Sequence, residues 1–255
     1  MRALSNKLQE NAAGRLVPSE INGAPAVPYQ GVGRFRPEGR HHAPPIRTCS
    51  DYPEDGDKVV ADLKTALQAA GLRDGMTIST HHHFRNGDKV ANALFEACGA
   101  LGVRDLRWFP SAAFPCHTPI IEHLDSGVVH HIEGSLNGPL GDYCSTGKMR
   151  GTGVLRSHGG RWQAVQDGEV HIDIAVIAAP TADAFGNANG VTGPSACGLL
   201  GFARVDAEYA DHVIVVTDHL IPFPCIPWQI HGNHVDQVVV MESIGDPKKI
   251  VSGTT

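Results

Sequence analysis

An α/β domain with a mostly parallel sheet and flanking helices is predicted from three features of the sequence. Continuous Val/Ile runs occur at residues 172–178, 213–216 and 238–241, as expected for strands covered on both faces. Stretches with helical spacing lie between such runs, which is the pattern of β-α-β units. Hydrophobic residues make up 42% of 255 and charged residues 19%, enough to bury a substantial core.

The elements follow in order. Residues 1–54 are rich in Gly, Pro, Arg and Asn and lack periodicity. Pieces such as Ala24-Pro25-Ala26-Val27-Pro28 cannot continue a helix or a central strand, so an extended N-terminal arm is expected. The α/β module then occupies 55–255. Val59, Val60, Leu63 and Leu67 recur at helical spacing, and Gly71 is placed as a stop. Residues 76–79 read as a strand, 87–99 as a helix, and 106–109 as the next strand. A helix over 117–124, a strand over 128–132 and a helix near 199–209 complete the order. The glycine-rich stretch 134–160 is too long for an ordinary connection and is a candidate functional loop. In open α/β sheets ligands bind beyond the carboxyl ends of strands, so chemistry is expected after Ile78, Ile132, Ala178 and Val216.

Charge and composition narrow the partners. The net charge of -6 supplies no basic surplus for nucleic acid or an anionic membrane. No stretch approaches the ~20 apolar residues of a membrane span. Cysteines at 49, 98, 116, 144, 197 and 225 form no Cys-x-x-Cys pair, and no secretory segment is read, so reduced thiols in the cytoplasm are expected.

The most informative segment runs from Ser79 through His81, His82 and His83 to Arg85 and Asn86. It follows a strand and precedes a helix, whose free N–H groups and dipole suit a carboxylate. Arg85 offers a two-donor fork, and Asn86 a donor and an acceptor. Three adjacent histidines alternate in direction, so at most two can face one ion, and no His-x-x-x-His or Cys pair completes a zinc set. A metal site is therefore the minority reading. Glu133, Gly134, Gly138 and Gly141 form a second candidate, a carboxylate beside glycine N–H groups able to hold an anion or a thioester oxygen; a plain glycine turn competes evenly. Asp183 with Gly186-Asn187 reads as a tight turn, and residues 221–227 as a rigid apolar loop. No phosphate loop, nucleophile elbow or dinucleotide fingerprint falls at a strand–helix junction, which disfavours nucleotide hydrolysis, α/β-hydrolase chemistry and dinucleotide redox.

Taken in order, these segments resemble the CoA-transferase family. Asp74-Gly75-Met76-Thr77-Ile78, Glu133-Gly134, Ala182-Asp183 with Gly186-Asn187, and Val235-Asp236-Gln237-Val238-Val239 match its first module. Within it, the run from Thr77 to Gly87, containing His-His-His-x-Arg-Asn-Gly, is similar to the citrate lyase alpha chains, as are Pro45-Ile46-Arg47 and Asp51-Tyr52-Pro53. The resemblance implies a CoA-transferase-like (NagB/RpiA-like) fold and a citrate CoA-transferase of citrate fermentation, exchanging acetyl for citryl on an acyl-carrier-protein thioester. It implies no tightly bound cofactor; the CoA-like thioester is a co-substrate. Implied partners are citrate, the acyl-carrier (gamma) and lyase (beta) chains, a second CoA-transferase module, and an oligomer. Such chains carry two related modules, and this sequence matches the first. The glutamate that forms a thioester in many CoA-transferases lies in the second, so Glu133 does not inherit that role, and citrate lyases are thought to transfer directly. Arg85 and the histidines are then the candidates for holding carboxylates, with Lys148 and Arg150 weaker ones. A histidine-based metal-dependent hydrolase, a non-catalytic assembly module and a sugar-phosphate isomerase remain as alternatives.

Overall fold

A computed structural model describes residues 7–31, 44 and 53–250. It divides into two units, 1–41 and 42–255. In the first, Leu8–Glu10 pairs antiparallel with Leu16–Pro18, and Glu20–Ile21 with Ala24–Pro25. The expected arm therefore contains two small hairpins, with Pro25 in a two-residue strand where a missing N–H costs little. Cys49 and the stretches 45–47 and 51–52 fall outside the described residues, apart from Pro53.

The second unit is built on a nine-stranded sheet. Its strands are β1 (Val59–Val60), β2 (Thr77–Thr80), β3 (Leu106–Pro110), β4 (Val129–Leu136), β5 (Val154–Leu155), β6 (Ile174–Ala178), β7 (His212–Thr217) and β8 (Gln237–Val240). They lie in the order β5-β4-β3-β2-β6-β7-β8-β1, with the short Ala112–Ala113 strand beside β4. Every pairing in this sheet is parallel. The helices are α1 (Leu63–Ala69), α2 (Val90–Ala100), α3 (Ile120–Ser126), α4 (Pro139–Ser145), α5 (His158–Gln166), α6 (Ala203–Tyr209) and α7 (Pro247–Ile250).

Alternation along the strands builds two cores. Ile174, Val176, Ile214 and Val216 pack with Leu67, Leu94, Phe95 and Leu124 of α1, α2 and α3. Ala175, Ile177, Val213 and Val215 point the other way, against Val165 of α5 and Val205 and Ala207 of α6. This is why β6 and β7 read as unbroken apolar runs: each residue has a helix layer opposite it. Trp108, fully buried on β3, packs edge-on to Phe95 at 5.4 Å and donates its indole N–H to Thr80 Oγ1 at 2.9 Å.

Three expectations need correction. Val59 and Val60 do not open the first helix; they pair in parallel with β8 as an edge strand. Asp62 stops the strand by capping α1 through Thr65 N at 2.7 Å, and the β-branched pair before it suits a strand better than a helix. The helix expected from His117 begins at Ile120, because Pro115–His117 forms a separate 3-10 turn. The stretch 134–160 is not one loop: it holds α4, β5 and the start of α5. Glycines at 138, 141, 147, 151, 153, 159 and 160 hid these elements by diluting the apolar pattern.

Candidate functional site

The sheet reverses its direction of growth between β2 and β6. From β2 the chain adds β3, β4 and β5 outward on one side, then returns to lay β6 against β2 and adds β7 and β8 on the other. Loops leaving adjacent strands diverge at such a point and open a crevice at the carboxyl ends. A cavity of about 370 Å³ lies there. Its wall comes from His81, His82, His83 and Arg85 after β2, Ser111 after β3, residues 196–197 and 199–202 before α6, and Pro247 and Ile250 of α7. The volume suits a small organic ligand.

Each histidine is tied differently. His81, 6% exposed, places Nε2 2.8 Å from Asp206 Oδ2. Asp206 is fully buried on α6 and accepts from both amino groups of Arg161, at 2.9 and 2.7 Å. Arg161, from α5, also donates to Phe109 O at 3.1 Å and lies over the Phe109 ring at 4.2 Å. Burial alone would raise the Asp206 pKa, but Arg161 and His81 outweigh it and hold the carboxyl well below its usual range. The ionised Asp206 can only accept, so His81 carries its proton on Nε2.

His82 packs against Ser111, with Nδ1 2.6 Å from Oγ, and its own N–H donates to the same Oγ at 3.0 Å. Its ring meets His158 edge-on at 5.0 Å and Phe202 at 5.9 Å. His83 donates from Nε2 to Ala178 O, the last residue of β6, at 2.6 Å. Burial, followed for His82 by the neighbouring His158 and for His83 by His81, pushes both rings down to about 4. His82 and His83 are therefore neutral at pH 7. Arg85 is the exposed cation of the wall.

Arg85 sits at φ 51°, the left-handed region that a residue with a Cβ enters at a cost of roughly 1–2 kcal/mol. The turn Arg85–Gly87 is pinned on both sides. Asn86 Oδ1 accepts from Cys116 N at 2.8 Å, and Gly87 O accepts from Asp246 N at 2.9 Å. A Cβ at Gly87 would stand 2.8 Å from Asp246 O, so this close approach requires glycine. The amino end of α2, expected to receive a ligand carboxylate, is already occupied. Asp88 accepts from Val90 N at 3.0 Å and Ala91 N at 3.3 Å, and from His117 Nε2 at 2.9 Å. An internal carboxylate fills the place the sequence suggested for an external one.

The remaining sequence candidates lie apart from the cavity. Ser79 is fully buried on β2, below the histidines, and its Oγ has no partner among the described residues. Glu133 is half-buried on β4 and paired with Arg156, which also holds Glu169 at 2.7 Å. Gly134 packs so closely on β3 that a Cβ would meet Pro110 O at 2.1 Å, and Gly138 caps α4. Lys148 is exposed, and Arg150 pairs with Asp105 at 2.8 Å. Asp183 accepts from Phe185 N, Asn187 N, Asn187 Nδ2 and Cys225 N, which is the turn-fixing role. Among the described residues, the one His/Asp group with metal-ligand spacing is His171, Asp173 and Asp211. It sits at the amino ends of β6 and β7, across the sheet from the histidine loop.

The profile of the family "Citrate lyase, alpha subunit (CitF)" matches residues 56–255. The chain belongs to this citrate lyase alpha subunit family. It is 45% identical over 197 residues to the citrate lyase alpha chain of Klebsiella pneumoniae, covering 77% of this chain and 39% of that one. It is 44% identical over 199 residues to the Haemophilus influenzae alpha chain, covering 78% and 40%. It thus spans about two fifths of the length of these relatives. The citrate lyase alpha subunit of Streptococcus mutans, solved in complex with citrate, superposes with a TM-score of 0.85 at 37% identity, over 94% of this chain and 46% of that one. An acyl-CoA transferase of Escherichia coli O157:H7 shares the fold, with a TM-score of 0.57 at 15% identity over 83% and 53%.

For this family member, sequence reasoning missed Ser111, Arg161, Asp206, the 196–202 loop and α7. One signal was present: Asp206 stands between Val205 and Ala207 on an otherwise apolar helix face, where an unpaired charge would be costly. Its partner, Arg161, lies 45 residues away and has no spacing relation to it. Among the described residues no helix is long and apolar enough to cross a membrane.

Proposed function

We propose that this chain supplies the citrate-binding wall of a citrate CoA-transferase, acting on acetyl-carrier-protein to give citryl-carrier-protein and acetate. The observation that carries the reading is the cavity at the β2/β6 switch point, lined by the histidine run and the strained Arg85. The S. mutans relative, similar across 94% of this chain, binds citrate, and the family match includes every one of these residues.

In this reaction a citrate carboxylate oxygen attacks the acetyl thioester carbonyl. The carbon–sulfur bond breaks, and the carrier thiolate leaves a citric–acetic mixed anhydride. The thiolate then attacks the citryl carbonyl, and acetate departs with the electron pair of the broken carbon–oxygen bond. Arg85 holds a second citrate carboxylate by a two-point contact, while the neutral ring of His82 borders the same wall without adding charge. Leu199 and Phe202 give the rim an apolar stretch for the arm that carries the thioester. Such alignment lowers the barrier by replacing free collisions with a held near-attack geometry. The site is completed by a second CoA-transferase module, in a cytoplasmic assembly with the carrier and lyase chains.

Calorimetric titration of the chain with citrate tests the first claim. Saturable binding that Arg85→Ala weakens about tenfold or more is expected; absence of binding by the folded chain would sink it. Exchange from acetyl to citryl carrier, assayed after mixing with the second module of an alpha chain, tests the second.

A further inference from the structure

We propose that His83 is a specificity-determining acceptor for an alcohol hydroxyl, so that the cavity selects a hydroxy-substituted polycarboxylate over the same polycarboxylate without the hydroxyl. This rests on the carboxylate-binding reading above and extends it to a feature of the ligand that cationic groups cannot read.

Both rings are tied at Nε2 to groups that only accept: His83 to the Ala178 carbonyl at 2.6 Å, His81 to the Asp206 carboxylate at 2.8 Å. Each Nε2 must therefore bear hydrogen. In the neutral ring of His83 that leaves Nδ1 with a lone pair and no hydrogen. Both Nδ1 atoms are buried and have no hydrogen-bond partner among the described residues, although both residues line the cavity. The His81 and His83 rings stack at 6.1 Å with 10° between their planes, which holds the His83 ring in place.

The anchors resist rearrangement. Turning His83 to present an N–H would abandon a backbone carbonyl at the end of β6. Turning His81 would leave Asp206 with Arg161 alone in a site that excludes water. Proton uptake at His83 is opposed by burial and by its histidine neighbours, which hold its pKa at about 4.

A buried acceptor without a donor is a defect that a ligand can repair. Carboxylates ionised at neutral pH bring oxygen lone pairs and no hydrogen, so they are repelled by the His83 Nδ1 lone pair. An alcohol brings the missing O–H. The wall then divides the ligand, with carboxylate to Arg85 and hydroxyl to the His83 side. Sites built around such a hydrogen bond reject the analogue lacking the hydroxyl far more strongly than apolar pockets reject an extra methylene.

The test compares citrate with propane-1,2,3-tricarboxylate, which keeps all three carboxylates and lacks only the hydroxyl. Dissociation constants are measured by titration calorimetry at pH 7.5 on the chain and on two variants. The unsubstituted chain should bind citrate roughly 30-fold or more tighter. His83→Phe should bring citrate to the level of the deoxy compound while changing the latter less than about threefold. His83→Gln can donate to Ala178 O and still accept, and should retain part of the preference. Equal binding of both ligands by the unsubstituted chain overturns the proposal and leaves the carboxylate cavity standing. Parallel weakening of both ligands in His83→Phe also overturns it. Failure of both ligands to bind overturns the carboxylate reading and this proposal together. If His83→Phe does not fold, the unsubstituted chain and His83→Gln decide.

Discussion

Lowering the pH should destabilise this protein well before its carboxylates titrate, because histidines are buried in their neutral form. Burial, followed by neighbouring charge from His81 for His83 and from His130 and Arg107 for His131, holds both rings at about 4. An unfolded histidine titrates near ~6.5. The folded state therefore binds fewer protons than the unfolded state between these values, and stability falls as pH drops through 6.5 towards 4. For one such group the loss at pH 5 is about 2 kcal/mol, and about 4 kcal/mol for the two together. His117 offsets roughly 1 kcal/mol of this: burial would lower its pKa, but Asp88 raises it to about 9, so it adds stability as the pH falls. His82, more open to solvent, adds a smaller loss of the same sign. Typical domains have only about 5–15 kcal/mol in hand. Asp206 acts in a different window: its lowered pKa contributes stability that is lost only below about 4. Urea unfolding at pH 7.5 and 5.0 measures the effect, and His131→Asn isolates one group. The variant should lose about 2 kcal/mol less than the unsubstituted chain over that interval. An identical pH dependence in the two proteins would show that His131 is not held neutral, and the reasoning would fail.

Other consequences follow from the same contacts. Removing Arg161 by substitution with Met leaves Asp206 buried with His81 as its one remaining partner, and should cost about 3 kcal/mol in a denaturant titration; a cost under about 1 would mean water reaches the pair. Arg85→Gly should raise stability by about 1 kcal/mol through relief of φ 51° while weakening citrate binding; a variant that is neither more stable nor weaker in binding would remove the case for functional strain. Asp88→Ala strips the amino end of α2 and orphans His117 Nε2, with an expected loss of about 1–2 kcal/mol by thermal or chemical unfolding. Gly134→Ala should disrupt the β3–β4 contact, seen as a lower melting temperature than Gly147→Ala, where no atom lies within 4 Å of the added carbon.

The sheet was legible because its strands are short apolar runs with helices between them, and a strand covered on both faces has little choice of register. Residues 106–109 and 213–216 each fall within an observed strand for that reason, and 76–79 overlaps one displaced by a single residue. Val59-Val60 misled because two apolar residues fit a helix face and an edge strand equally, and Asp62, which decides, acts through a bond that spacing does not display. The histidine loop was visible as an unusual run after a strand. Its charge was not, because that depends on His158, Asp206 and Ala178, brought in from other elements. For Asp88, position suggested an open helix end; the side chain that closes it was in plain view two residues before α2, but so common a residue carried no signal by itself.

One guanidinium–carboxylate pair joins parts of the molecule that the chain keeps far apart. Arg161 on α5 and Asp206 on α6 meet beneath His81, with Phe109 O of β3 as a third attachment. The histidine run is therefore not a portable motif. Transplanted alone onto another sheet of the same topology, residues 79–87 would arrive without the floor that fixes the ring of His81, and its imidazole would turn freely. A transfer of this pocket into a new scaffold must carry both helices and the end of β3 along with the loop.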